Sequence, residues 1–297
     1  MGAKGLKRLS RAAGILRESG HDTWLVPTQG PGTAGAIARR SIAEGADLIL
    51  AAGGDGTINE IAEGLAFSSV PLGILPAGTA NVLASEMGLG SSMERAAAGI
   101  PACIPTRISM GRLSCGNGSE RTRLFLLMAG IGLDAKIVYN LSLPLKARLG
   151  KIAYWIAGFS LLGRGLDEFD IVVEGRQLRC SFALISKVRN YGGDLEIAQN
   201  TSLLDDCFEI VLFEGRSSFR YVKYLARVAA RRLAGLQGVS LIRSKGACVS
   251  AAADRRIYIQ VDGEYIGHLP ARVEIVPDAL TLLIPEGYIR KSRRARG

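Results

Sequence analysis

The chain has 297 residues, 48% of them hydrophobic and 22% charged. That is enough for about two domains and for a core that needs no disulfide or metal staple, and it excludes a disordered or collagen-like chain. Its 37 Lys and Arg against 27 Asp and Glu leave a net charge of +10.

The excess is localised. Residues 215–245 hold eight basic side chains (Arg216, Arg220, Lys223, Arg227, Arg231, Arg232, Arg243, Lys245) and no acid, residues 287–297 hold five and no acid, and the rest of the chain sums to −3. Two basic patches on a near-neutral body suit a phosphate-rich partner, either nucleic acid or an anionic membrane, or serve as solvated surface. With only His21 and His268, His-rich zinc sites are excluded, and a His-based triad would have to use one of these two. Five scattered cysteines without a CxxC pair fit a reducing cytoplasm. No apolar segment follows the basic start, so no signal peptide is read. The uncharged stretch 64–85 is cut by Pro71, Gly73, Pro76 and Gly78 and cannot be a membrane span.

Taken in chain order, Leu6, Leu9, Ala12, Ala13 and Leu16 predict a helix over 5–18 that ends at Gly20. A strand is expected over 23–27, a helix over 31–43 with Pro31 in its first turn, and a buried parallel strand over 46–52. A helix over 57–66, a strand over 70–75 and a helix over 78–88 follow. This βαβα rhythm predicts a parallel sheet with helices on both faces. From residue 105 short alternating strands dominate, at 105–113, 122–129, 168–174, 177–186, 207–213, 247–250, 256–261, 270–276 and 279–284, the pattern of an antiparallel sandwich or barrel. Helices interrupt it at 146–163 and 217–233. The apolar run 152–163 is too short to span a bilayer and reads first as a buried helix, second as a lipid-facing one. The domains are therefore expected at 1–104 (α/β), 105–285 (β-rich) and 286–297 (basic tail).

Gly53-Gly54-Asp55-Gly56-Thr57 sits where a buried strand ends and a helix begins. Its glycines permit positive φ and close approach of a ligand, and the helix start offers free N–H groups, which together make a phosphate cradle. A carboxylate there would repel phosphate unless it shares a metal, so Asp55 is read as part of a metal–phosphate network; the plainer reading is an N-cap. Gly78-Thr79-Ala80-Asn81 repeats the arrangement one βα unit later, and turns at neighbouring strand ends converge on one crevice. Gly30-Pro31-Gly32-Thr33-Ala34-Gly35 matches GxGxxG literally, but it follows the wrong strand and Pro31 removes a donor, so a dinucleotide site is not expected. Asp262-Gly263-Glu264 pairs two carboxylates near a strand end and could supply a base, or be only a hairpin turn. Asp205-Asp206 could bind a divalent cation or be a solvated turn.

These pieces resemble a known family. GGDGTINEIAEGL (53–65) with LGILPAGTANVLASEMG (72–88) looks like the catalytic domain of diacylglycerol kinases and bacterial YegS/DgkB-type lipid kinases. In order, AGIGLDAKIV (129–138), GGDLEIAQNTSLLDDCFEIVLF (192–213) and VDGEYIGHLPARVEIVPDALTLLIP (261–285) agree. The resemblance implies an α/β nucleotide-binding domain with a parallel sheet, a second antiparallel β-sandwich-like domain, and ATP- and Mg²⁺-dependent phosphorylation of a lipid hydroxyl in phospholipid metabolism. By the same resemblance Thr28, Gly53, Gly54, Asp55, Gly56, Thr57, Ile58, Asn59, Gly78 and Thr79 would bind ATP. Asp262 or Glu264 would be the base, with Asp55 also catalytic, and Asp205 would hold Mg²⁺ with carbonyls of Ser202 and Cys207 nearby. The expected setting is cytoplasmic and peripheral on an anionic membrane, with no transmembrane span and no nucleic-acid partner; a homodimer is common in the family it resembles.

Three departures stand out. The family's GTxND carboxylate is Val82 here, and the glycine of its metal loop is Asp206. The family also opens with a strand ending in an NPxxG loop, which would precede the first helix of this chain. The expectation is that Met1 is an internal start or that the chain is shortened, which would expose an apolar sheet edge. The alternatives are a catalytically impaired nucleotide- or lipid-binding homologue, or a NAD or sugar kinase using the same GGDGT loop.

Overall fold

A computed structural model describes residues 2–116, 121–140, 165–191, 195–229, 233 and 235–294. The chain divides into two compact units, 1–109 with 277–297, and 110–276. The division between the units falls at 109/110, and residues 277–297 cluster with residues 1–109.

The first unit is α/β. Helix α1 (Ala3–Glu18) buries Ala12, Ala13 and Leu16, the stripe its spacing predicted. The expected strand at 23–27 does not form: these residues lie outside regular structure, and Trp24 is 74% exposed. An extended segment needs a hydrogen-bonding neighbour to become a strand, and its apolar side chains do not substitute for one. Helix α2 (Ala34–Ala43), strand β1 (Ile49–Gly53), helix α3 (Asp55–Leu65) and strand β2 (Leu72–Pro76) follow. β1 and β2 pair in parallel from Ile49↔Leu72 to Gly53↔Pro76. Helix α4 (Val82–Glu86) is shorter than expected because Asn81 takes a left-handed conformation at φ 47° and breaks the helix there. Helix α5 (Met93–Gly99) is capped by Ser92. Ala12, Leu16, Leu75, Met93, Ala97, Ile100 and Leu283 form a core in this unit.

Strand β3 (Cys103–Cys115) carries the chain into the second unit. There β4 (Arg121–Phe125), β5 (Met128–Gly132), helix α6 (Leu133–Asn140), β6 (Phe169–Val173), β7 (Arg176–Cys180) and β8 (Phe182–Ser186) follow. Two expected strands are therefore each two, one broken between Phe125 and Met128 and the other at Ser181. The hairpin β9 (Asn190–Tyr191) and β10 (Leu195–Glu196) and strands β12 (Val239–Ser244) and β15 (Glu264–His268) were not foreseen. Between them lie β11 (Phe208–Phe213), helix α7 (Ser218–Ala229), β13 (Gly246–Ser250) and β14 (Tyr258–Val261). The two last expected strands are one, β16 (Ala271–Pro285), which returns the chain to the first unit and pairs in parallel with β2 at Leu282↔Leu72. Helix α8 (Glu286–Arg294) follows. The expected helix at 146–163 lies outside the described residues.

One antiparallel sheet of the second unit runs β12-β11-β8-β5-β14-β15. In the other, β16 pairs β13, β13 pairs β6 and β6 pairs β7, all antiparallel. Side chains of both sheets, among them Phe125, Ile131, Phe169, Ile185, Phe208, Val249 and Ile259, share one core, as a sandwich requires.

The first unit contains a crossing that tolerates no added atom. A Cβ on Gly64 of α3 would lie 2.5 Å from the Gly35 carbonyl oxygen of α2, and one on Gly35 would lie 2.6 Å from the Glu60 carbonyl oxygen. Gly64→Ala is expected to destabilise by about 1–3 kcal/mol, because both obstacles are backbone and cannot rotate away. Chemical denaturation with an unchanged midpoint would contradict this.

Candidate active site

β1 and β2 end side by side, and the turns that leave them meet. The Ala77 N–H donates to the Gly53 carbonyl at 3.1 Å, tying the second turn to the first. A Cβ on Gly78 would fall 2.5 Å from the Gly54 Cα, so the backbones touch where neither carries a side chain. Asn81 closes the second turn: its Oδ1 accepts from the Gly78 N–H and its Nδ2 donates to the Gly78 carbonyl, both at 2.8 Å. That reciprocal clamp explains the left-handed Asn81, a conformation asparagine tolerates better than most residues.

Asp55 opens α3 without a capping side chain before it, since Gly54 is the cap and is extended. The Asp55 carboxylate turns towards the start of α4 and accepts from the Leu83 N–H at 3.4 Å. Burial raises its pKa above the ordinary carboxylate value, and the amides of Leu83 and Val82 only partly offset this. It is an anion short of compensating positive charge, which suits a cation accompanying phosphates. Asn59 is 4% exposed and its Oδ1 is buried with no donor among the described residues. Ile58 puts its side chain into the core, so any ligand contact there would come from its backbone. Gly53, Gly54, Gly56, Thr57 and Gly78 are half-buried, while Thr28 and Thr79 are exposed.

The GxGxxG decoy has a structural explanation. The Glu60 carboxylate, from α3, accepts from the Gly32 N–H at 2.8 Å and the Ala34 N–H at 3.0 Å. The amides that would cradle a pyrophosphate are occupied by a carboxylate of the chain itself. Position 60 carried no signal in the sequence, because its partners lie 26 and 28 residues away.

In the second unit Asp262 and Gly263 both have positive φ, 47° and 82°, and turn β14 into β15. The Asp262 carboxylate does more than turn the chain. It accepts from the backbone N–H groups of Leu126, Leu127 and Met128 at 3.0, 3.1 and 2.8 Å. This is the physical reason the strand expected over 122–129 breaks into β4 and β5. Glu264 is exposed instead and pairs with Arg123 at 3.3 Å.

Asp205 lies in the loop entering β11 and is buried. Its carboxylate accepts from the Ser202 N–H at 3.1 Å and from Arg243 Nη2 at 3.2 Å, and its own N–H donates to the Ser202 carbonyl at 2.9 Å. Lys187 Nζ donates to the Asp205 carbonyl, and Arg243 Nη2 contacts Cys207 Sγ at 3.1 Å. Of the ligands assigned here, the Asp205 carboxylate already receives the Arg243 guanidinium and the Ser202 carbonyl already accepts the Asp205 N–H, so this loop does not fit a resident metal. Among the described residues no group of three or more His, Cys, Asp or Glu is placed to hold a metal. Gly192, Gly193 and Asp194 lie outside them.

Residues 2–113 match the model of the diacylglycerol kinase catalytic domain, and residues 128–284 match the YegS C-terminal NAD kinase beta sandwich-like domain. The chain belongs to the diacylglycerol kinase family. A diacylglycerol kinase of Mycobacterium tuberculosis is 30% identical over 250 residues, 82% of this chain and 79% of that protein. One of Bacillus subtilis is 29% identical over 272 residues, 89% and 86% of the two chains. The crystal structure of a diacylglycerol kinase from Bacillus anthracis shares the fold, with a TM-score of 0.74 at 20% identity over 95% of this chain and 92% of that one.

Two predictions separate the carboxylates of this family member. Asp55 has a raised native pKa, so the folded chain holds this proton more tightly than the unfolded one, and its ionisation costs stability as pH rises above the ordinary carboxylate range. Asp55→Asn is expected to melt at or above the wild-type temperature at pH 7, with the difference fading below about pH 4, where the carboxyl is protonated in both states. A lower melting temperature at pH 7 would count against this. Asp262→Asn is expected to destabilise by about 2–4 kcal/mol, since an amide cannot accept from all three backbone donors. Glu264→Gln is expected to cost less than about 1 kcal/mol, as an exposed ion pair should. Equal losses in the two would contradict the assignment.

Proposed function

We propose that the protein transfers the γ-phosphate of ATP to a lipid hydroxyl, that of diacylglycerol or a similar lipid. The observation that carries this is the contact of the two glycine turns at Gly54 and Gly78, with a charge-hungry Asp55 beside them in a chain of the diacylglycerol kinase family. The turns, together with Thr57 and Thr79, bind the phosphates through backbone N–H and hydroxyl groups. Thr28 and the buried Asn59 Oδ1 serve the rest of the nucleotide. Bound with the nucleotide, Mg²⁺ supplies charge neutralisation of the phosphates, and Asp55 is the residue that would hold it.

The acceptor's proton goes to a carboxylate of the Asp262-Gly263-Glu264 turn. Glu264 is the better candidate of the two, because the Asp262 oxygens are engaged with three backbone donors. As the hydroxyl oxygen bonds to the γ-phosphorus, the bond from that phosphorus to the β–γ bridging oxygen breaks and ADP leaves. Positioning and charge stabilisation supply most of the rate.

The lipid is met at an anionic membrane surface, in a cytoplasmic and peripheral setting. No helix among the described residues is long and apolar enough to cross a membrane. Helix α7 exposes Arg220, Lys223 and Arg227 on one side and buries Tyr221, Tyr224 and Val228 on the other. Tyr224 stacks on Phe213 with centroids 4.8 Å apart, so the apolar face is spent on the core. Helix α8 likewise exposes Arg290, Lys291, Arg293 and Arg294. Docking is therefore electrostatic, at roughly 1 kcal/mol per well-placed charge. Val82 favours a second reading, an impaired binder: it is buried and apolar at the position where the family carries a carboxylate.

Radiolabelled ATP with diacylglycerol in mixed micelles tests the reaction. Asp55→Ala is expected to abolish transfer and Glu264→Gln to slow it by about 10²–10⁴-fold. Nucleotide-dependent thermal stabilisation without transfer to any lipid would favour the impaired binder. Transfer to NAD or a sugar alone would replace the lipid reading. Binding to anionic vesicles is expected to weaken with added salt, and binding indifferent to salt would remove the basic patches from the account.

A further inference from the structure

The loop at 200–207 enters β11 at the end of the sheet where both neighbours of β11 finish. β11 is antiparallel to β8 on one side, with Glu209↔Ser186, and to β12 on the other, with Glu209↔Arg243. Residues just past the end of β8 and near the end of β12 therefore flank this loop. Those residues are Lys187 and Arg243.

Lys187 is fully buried, a costly place for an ammonium unless its donors are used. Its Nζ donates to the Asp205 carbonyl. Arg243 closes the other side: Nη1 donates to the Asn200 carbonyl at 2.6 Å and Nη2 to Asp205 Oδ2 at 3.2 Å. Behind the loop, the buried Glu209 carboxylate accepts from the Asn200 N–H and from its Nδ2, both at 2.8 Å. The Asp205 carboxylate is the hard oxygen donor that a Mg²⁺ or Ca²⁺ in this loop would need. It receives the Arg243 guanidinium, while the neighbouring carbonyls of Asp205 and Asn200, distinct from the Ser202 and Cys207 carbonyls assigned to the metal, accept from Lys187 and Arg243, so two cations stand at the loop in place of one divalent charge.

We infer that Lys187 and Arg243 replace a divalent ion in the Asp205 loop, so that the loop is ordered by the chain's own cations and binds no resident metal. They are positioning residues: they hold Asp205 and Asn200 and touch no reacting atom. Arg243 is half-exposed and supplies a planar fork that reaches two loop oxygens at once. Lys187 supplies a point charge from beneath. The inference concerns the loop that the family resemblance assigns to Mg²⁺, and its test uses no turnover, so a failure of the kinase reading would leave this result intact and separately legible.

The test is metal content and melting temperature of the full-length, nucleotide-free protein. Elemental analysis after gel filtration is expected to find no stoichiometric Mg or Ca, and wild type is expected to melt at the same temperature in EDTA and in millimolar MgCl₂. Arg243→Gln is expected to melt lower in EDTA by about 3 °C or more and to gain a response to MgCl₂ or CaCl₂, because it frees Asp205 Oδ2. Arg243→Lys, which keeps the charge, is expected to recover most of the melting temperature and to stay indifferent to metal. One equivalent of metal in wild type, or a wild-type melting temperature that rises in MgCl₂, would overturn the inference. So would an Arg243→Gln variant that melts like wild type or ignores both metals.

Discussion

A single added carbon on Gly78 would sit 2.5 Å from the Gly54 Cα, and the candidate nucleotide site depends on that carbon being absent. Because the two turns touch, the amide-rich starts of α3 and α4 lie beside the same point, and Asp55 on the first can reach the Leu83 N–H on the second. Parallel pairing of β1 with β2 brings the turns level, and the Asn81 clamp fixes the shape of the second. A side chain on Gly78 would separate them, whereas a Cβ on Gly54 would meet the Gly78 Cα at 3.4 Å, an ordinary contact. Glycine at position 78 is therefore a packing requirement more than a matter of flexibility.

The carboxylates of the chain show how environment assigns roles to one chemical group. Asp55 is half-buried and its pKa rises, because desolvation outweighs the backbone donors that reach it. Asp262 meets three backbone donors and serves as an anchor that sets the break between β4 and β5. Glu60 satisfies the start of α2, and Glu209 ties down Asn200. Glu264 remains at the surface against Arg123. The basic excess divides in the same way. Arg243 is turned inward upon the Asp205 loop, whereas Arg220, Lys223 and Arg227 face outward from α7.

Much of this was legible in one dimension. The βα rhythm around GGDGT, the second glycine turn, the switch to short alternating strands and the Asp-Gly hairpin all rest on local pattern. Their placement needed only period, turn chemistry and strand length. The exception among local signals is 23–27, where apolar, β-favouring residues occur without a strand partner.

By itself, then, the amino-acid sequence determined the class of fold, the two glycine turns at the strand ends and the family, because these depend on neighbours a few residues apart. Tertiary structure alone decided what each charged group does. Asp262 meets amides 134 to 136 residues away, Glu60 meets amides 26 and 28 residues away, and Arg243 meets Asp205 across 38 residues. Burial and hydrogen bonding set the state of a carboxylate or a guanidinium, and those come from chain segments that no local pattern brings together.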